Sequence, residues 1–228
     1  MTCDTMMTEH WNPPQLRTVP SRFPVSPLAV AAQDGRLANF LAYWRKVRQG
    51  LNVPFRADID PRGFEPVLGN SFVAERIAPG LARLRIAGNH LTELIGTEVR
   101  GMPLSALIDP AQRDVFSHHL VRLFDEPAMV RLSLYSAAGF GAPALTGQIL
   151  ILPLRSDLGD ISRALGCLVT TGNPGRGPRS FEIIHTQITP IEGAAAVKAS
   201  GPHPVGSQEH TTSCFAERKG GHLKLIKG

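Results

Sequence analysis

His119 is the side chain best placed to do chemistry. It falls among Phe116, Leu120 and Leu123 on the apolar stripe of a helix predicted from Asp109-Pro110 to about Asp125. His118 lies about 100° further round the same wheel and faces more toward water. A neutral imidazole held by its second nitrogen can ligate iron. The commoner use of a histidine on an apolar face is as a hydrogen-bonded core residue. Arg83 and Arg85 share one strand face, with Arg131 on a candidate neighbour. That trio reads either as a solvated face or as an anion site, since arginine suits bidentate contacts.

Catalytic sets are missing. Ser105, Ser117 and Ser133 have no nucleophile elbow and no paired His and Asp motif. Neither GxGxxG after a strand nor GxxxxGK[ST] occurs. Glu93 and Glu98 are separated by Gly96, which implies no joint work on one substrate. Cys3, Cys167 and Cys214 are odd in number and without CxxC or Cys/His spacing, which argues against a disulfide framework or a metal site. Cys167 reads as a small buried hydrophobe. We expect no enzyme.

The elements that would position these residues follow from pattern. Leu37, Phe40, Leu41, Trp44 and Val47 form a helical stripe that Asp34 can cap and Gly50 can end. This helix packs on its own domain or is shared at a dimer interface, with Leu37, Phe40, Leu41 and Trp44 as anchors either way. Asp60-Pro61 opens a short helix. Ser71 to Ile77 and Leu81 to Ala87 read as strands joined by the turn at Pro79-Gly80, with Ala82, Leu84 and Ile86 on one side. Short helical turns at Thr92–Ile95 and Leu104–Ile108 precede the His119 helix. Three strands follow, at Met129–Tyr135, Leu145–Leu154 and Leu165–Thr171. The middle one is apolar on both sides and must be covered on both. The fold class is therefore α+β, a five-stranded antiparallel sheet with inserted helices and an N-terminal covering helix.

Length and composition bound the rest. A chain of 228 residues suits one domain with extensions, and its 22 Gly and 19 Pro crowd toward both ends. We divide it into an N-terminal arm at 1–33, a domain at 34–172 and a Gly/Pro-rich basic tail at 173–228. Met6 or Met7 is an alternative start. In the tail, His222–Ile226 reads as a terminal strand or a docking peptide. The net charge of +5 is spread, without a run of five or six like charges, and only 2 Trp and 2 Tyr interleave it, which argues against nucleic-acid binding. No signal peptide is visible and no window approaches 18 apolar residues, so a cytoplasmic location without membrane contact is expected.

Four segments carry a family resemblance: Leu41-Ala-Tyr-Trp-Arg45, Pro54-Phe-Arg-Ala-Asp-Ile-Asp-Pro61, Arg83-Leu-Arg-Ile-Ala-Gly88 and Leu94-Ile-Gly-Thr-Glu-Val-Arg-Gly101. In this order they resemble the PAS domain, specifically the single-PAS subfamily found mostly in alphaproteobacteria, over roughly residues 36–172. The 201–228 stretch resembles that subfamily's basic tail. The resemblance implies a cytoplasmic sensory or regulatory module in signal transduction, acting on protein partners, often as a homodimer. It brings no shared ligand or activity, so the cofactor stays unknown. Haem-sensing members carry their iron ligand on the helix that holds His119, which makes haem the lesser alternative. Flavin adduct chemistry requires a cysteine in an Asn-Cys-Arg-Phe-like motif. This chain has Asn89-His90-Leu91 and no cysteine between Arg56 and Leu165.

Two readings of function follow. One is a small-ligand sensor with a cavity lined by Leu84, Ile86, Leu94, Phe116, His119, Leu120, Leu134, Leu150 and Cys167. The other is a ligand-free protein–protein adaptor with a filled core. In the resembling fold Gly88 is expected to leave its strand at an unusual dihedral. Asp58 and Asp60 are expected to cap a helix and pair with an arginine in a rigid joint.

Overall fold

The computed structural model describes residues 27–192 apart from 49, 51 and 140. The proposed arm at 1–26 and the tail from 193, with His222–Ile226, lie outside the described residues.

Six antiparallel strands form one open sheet: β1 (Ser71–Ala78), β2 (Leu81–Ala87), β3 (Ala128–Ser136), β4 (Leu145–Arg155), β5 (Ile161–Thr171) and β6 (Glu182–Pro190), in the order β2-β1-β5-β4-β3-β6. The helices are α1 (Pro27–Val47), α2 (Asn89–Ile95) and α3 (Arg113–Asp125), with 3-10 segments at Arg56–Asp58, Pro61–Asn70, Leu104–Leu107 and Pro110–Gln112.

Three expectations need correction. The sheet has a sixth strand where the sequence reads as linker after Gly172. Ile184, Thr186 and Ile188 are half-buried and alternate with exposed His185, Gln187 and Thr189, a period-2 pattern that the preceding Gly/Pro stretch masks. The domain boundary at 172 therefore moves past Pro190. The first helix begins at Pro27, inside the segment assigned to the arm, because proline is tolerated in a helix's first turn. Asp34 is not its cap. It lies within α1 and its carboxylate accepts from Arg131 on β3.

Each face of the sheet is covered differently. α1 lies across β5 and β4, with Leu37, Phe40 and Trp44 fully buried and Trp44 Nε1 donating to Pro153 O at 3.3 Å. α2, α3 and the Leu104–Leu107 turn cover the other face. Arg76 on that face stacks on Phe124 and pairs with Asp125, both of α3.

Candidate functional site

Strand register decides which of the predicted lining residues can meet. Ser71 pairs with Cys167 and Cys167 with Leu150. Two residues before Leu150, on the same face, Gln148 accepts from Arg131, which also bonds Asp34 of α1. Leu150 and Cys167 therefore lie beneath α1. Leu134 pairs with Gly147 and takes the opposite face.

β2 divides more sharply. Leu84 sits opposite Ala74, and Ile86 sits opposite Val73, the adjacent residue of β1. Two residues of β2 thus span one step of β1, with Arg85 as the extra residue of a bulge. The bulge reverses the side on which the following residue projects, as a one-residue slip does. Leu84 is buried on the helix face, whereas Ile86 is turned to the α1 face and is 55% exposed. The expectation that Ala82, Leu84 and Ile86 share a side fails at this bulge.

Of the nine predicted lining residues, the structure brings Leu84, Leu94, Phe116, Leu120 and Leu134 into the core between sheet and central helices. It puts Ile86, Leu150 and Cys167 on the other side of the sheet. The five together are each no more than 1% exposed. The Phe72 ring lies flat against β5: a Cβ built on Gly166 would stand 2.0 Å from its ring carbon Cζ. Glycine at 166 is what lets the ring fill this position. Sequence reading missed both residues, because a glycine inside an apolar strand is a signal only of close approach, without naming the neighbour.

His119 sits at the margin of this core, half-buried, with Nε2 3.3 Å from Thr186 Oγ1 of β6. Burial, reinforced by His118 and Arg122, pushes its pKa down to about 4. It lines neither of the two grooves described below, and its Nε2 faces the Thr186 hydroxyl. Cys167 is buried under α1, and burial raises its thiol to about 12 against the weaker opposing effects of a Ser71 hydrogen bond and Arg36. Among the described residues no cluster of three His, Cys, Asp or Glu could hold a metal ion.

The arginine trio is dispersed. Arg85 pairs with Glu75, which also pairs with Arg163. Burial would raise the Glu75 carboxyl, but the two guanidiniums hold it below its ordinary value. Arg131 is committed to Asp34 and Gln148. β2 and β3 are separated by three strands, roughly 19 Å from centre to centre, too far to grip one small anion.

The predicted helix anchors are spent inside the protomer. Leu37, Phe40 and Trp44 form the contact with the sheet, and Leu41 is partly buried against the same core. The alternative in which they project to a second subunit loses its anchors. The joint after α1 is built differently from the expected one. Asp60 Oδ1 accepts from Arg62 N and Asp58 Oδ2 from Phe55 N, both backbone donors rather than arginine side chains. The Tyr43 hydroxyl donates to Asp60 O and accepts from Asp60 N. Gly88 has ordinary extended dihedrals, φ −74 and ψ 162. Its need for glycine is steric, since a Cβ there would lie 2.2 Å from Gly69 O.

Two open grooves flank the Arg56–Gly63 segment on the outer side of the fold. The larger, about 880 Å³, runs between α1 and Asn52–Gly63 and is lined by Tyr43, Lys46, Val47, Phe55, Asp58 and Asp60 among others. The smaller, about 280 Å³ and mostly apolar, is lined by Ile59, Phe64, Leu68, Val73, Ile86 and Leu165 among others. Of the predicted lining residues only Ile86 reaches either groove.

The PAS domain family model matches residues 32–169, well over half of the chain. This chain belongs to the PAS domain family. The match ends inside β5, so β6 of this PAS chain lies beyond it. Among solved structures, the PAS chain is similar to the dark state of the blue-light photoreceptor Aureochrome1 LOV, at 14% identity and a TM-score of 0.36, covering 48% of this chain and 80% of that one. It is also similar to a light-oxygen-voltage domain studied with a flavin analogue, at 20% identity and a TM-score of 0.35, covering 49% and 84%. A third is an RNA-binding light-oxygen-voltage receptor, at 19% identity and a TM-score of 0.32, covering 67% of this chain and 36% of that one. No curated protein matches the chain. PAS domains generally serve sensory or regulatory signalling. No described helix of this one is long and apolar enough to cross a membrane.

Proposed function

We propose that this PAS domain is a non-enzymatic, cytoplasmic regulatory module that works by binding a protein partner on its outer surface rather than a small ligand in its interior. One observation carries this reading. Between the sheet and the central helices Phe72 is seated against Gly166, and Leu84, Leu94, Phe116, Leu120 and Leu134 are each no more than 1% exposed, which favours an interior taken up by the protein's own side chains. A ligand pocket normally offers about 300–1,000 Å³ of recess. Here recesses of that order lie outside, along α1 and the Arg56–Gly63 segment. A partner seated there touches α1 directly and biases its packing by its differential affinity for the two arrangements.

The test is native mass spectrometry of the purified full chain, with an absorption spectrum. The expected result is the bare polypeptide mass and no visible band, before and after incubation with hemin. A stoichiometric small molecule that survives desalting would overturn the adaptor reading in favour of a sensor.

A further inference from the structure

The larger groove has an occupant within reach in the same chain. Arg48, which lines it, donates from Nη2 to Glu192 O at 2.6 Å. Ile191 is buried beside this point. The polypeptide therefore leaves the described fold at the mouth of the groove. Beyond Glu192 the sequence carries a basic, apolar segment, Leu223-Lys-Leu-Ile-Lys227. The residues between are sufficient in number to span roughly 100 Å at full extension, far more than the return to the groove requires.

The groove complements that segment in type. Val47, Tyr43 and Phe55, the last 41% exposed, offer apolar wall. Asp58 and Asp60 are exposed, and each has one carboxylate oxygen engaged by a backbone amide, leaving acceptor capacity for an ammonium. Of the two cations lining the groove, Arg48 is directed to the Glu192 carbonyl, and Lys46 lies on the α1 side.

We propose that Leu223–Lys227 docks in cis into the groove between α1 and Asn52–Gly63, with Leu223, Leu225 and Ile226 on the apolar wall and Lys224 and Lys227 toward Asp58 and Asp60. Tethering supplies an effective concentration on the order of millimolar. A contact with an intrinsic dissociation constant of about 0.1 mM is then about nine-tenths occupied, although it would be invisible between separate molecules at micromolar concentration. The groove of the resting protein is self-occupied, and a protein partner competes with the tail.

Cross-linking of the full chain tests this. Lys46 is the only lysine within 27–192, so its amine cross-links report on the groove without ambiguity. In an equimolar mixture of isotopically light and heavy protein, we expect Lys46–Lys224 and Lys46–Lys227 links within one chain. The double variant L223D/L225D reduces them by at least about fivefold, while the Lys46–Lys198 link, close in sequence to Glu192, persists as the internal control. In parallel, backbone amides of Asn52–Asp60 exchange faster in L223D/L225D than in the parent. The exposed groove variant F55A reproduces both changes from the other side. Links formed between light and heavy chains overturn the proposal in favour of a second copy's tail. Unchanged links and unchanged exchange in L223D/L225D overturn it altogether.

Discussion

Whether the interior is filled in solution can be decided by a double-mutant cycle on Phe72 and Gly166. Phe72→Ala removes a ring that is 1% exposed and should cost about 3–5 kcal/mol of folding stability. For Gly166→Ala two effects oppose each other. Restricting the unfolded backbone favours alanine by about 0.4–1 kcal/mol. The new Cβ, however, stands 2.0–2.5 Å from three carbons of the Phe72 ring, and overpacking of this kind costs about 1–3 kcal/mol. The second effect wins, because the buried ring has no solvent to swing into, and G166A should be destabilised by about 1–2 kcal/mol. In the F72A background the obstacle is gone. The alanine methyl then fills part of the cavity, and the double variant should be more stable than the sum of the singles predicts by about 1–3 kcal/mol. Urea unfolding of all four proteins, analysed with a common m-value, measures the coupling. Additivity within about 0.5 kcal/mol, or a G166A variant more stable than the parent, would mean that the ring does not rest on β5. The interior would then be open to a ligand.

Three further outcomes follow from side-chain environments. Trp44→Ala should cost about 3–5 kcal/mol, and deletion of residues 36–50 should yield unfolded or aggregated protein rather than a folded monomer, as read by circular dichroism and solution mass. His119 has a folded pKa of about 4 against an ordinary 6.5, so both states are neutral above pH 6.5 and acid protonates the unfolded chain first. Its contribution is therefore fully present above pH 6.5 and is lost between there and pH 4, by about 2 kcal/mol after allowing for solvent at the half-buried ring. Stability at pH 7 and pH 4.5 should differ less in His119→Gln than in the parent, and equal losses would refute the assignment. Cys167 in a C3S/C214S background should resist a thiol reagent at pH 8 until the protein unfolds, as followed by intact mass. Rapid labelling of the native protein would contradict its burial.

The order of elements was legible because it rests on periodicity. The stripe at Leu37, Phe40 and Trp44, the alternation through β3 and the doubly apolar β4 all report burial directly, and burial is what the sheet and its covers require. The sixth strand left a period-2 trace in Ile184, Thr186 and Ile188, but three alternating residues shortly after Gly172–Pro178 do not outweigh the turn signals.

The candidate site was only partly legible. Leu84, Leu94, Phe116, Leu120 and Leu134 are apolar on predicted faces and do converge. Ile86 belongs to the same alternating run as Leu84 yet projects the other way, because the bulge at Arg85 depends on how β1 pairs with β2 and no local pattern in β2 encodes that register. Leu150 and Cys167 fail for a related reason. A strand apolar on both sides carries no mark of which side meets which cover.

By itself, then, the sequence determined that this is an α+β domain with a leading amphipathic helix and helices inserted in an antiparallel sheet, since those properties reside in residue spacing along one segment at a time. Only the tertiary structure decided that the anchors of α1 are used within the protomer, that Phe72 occupies the place over Gly166, and that the open recesses flank the Arg56–Gly63 segment. Each of these depends on the separation between atoms far apart in sequence. Cross-strand register and close packing set that separation, and they are shared by the whole fold rather than owned by any one stretch of it.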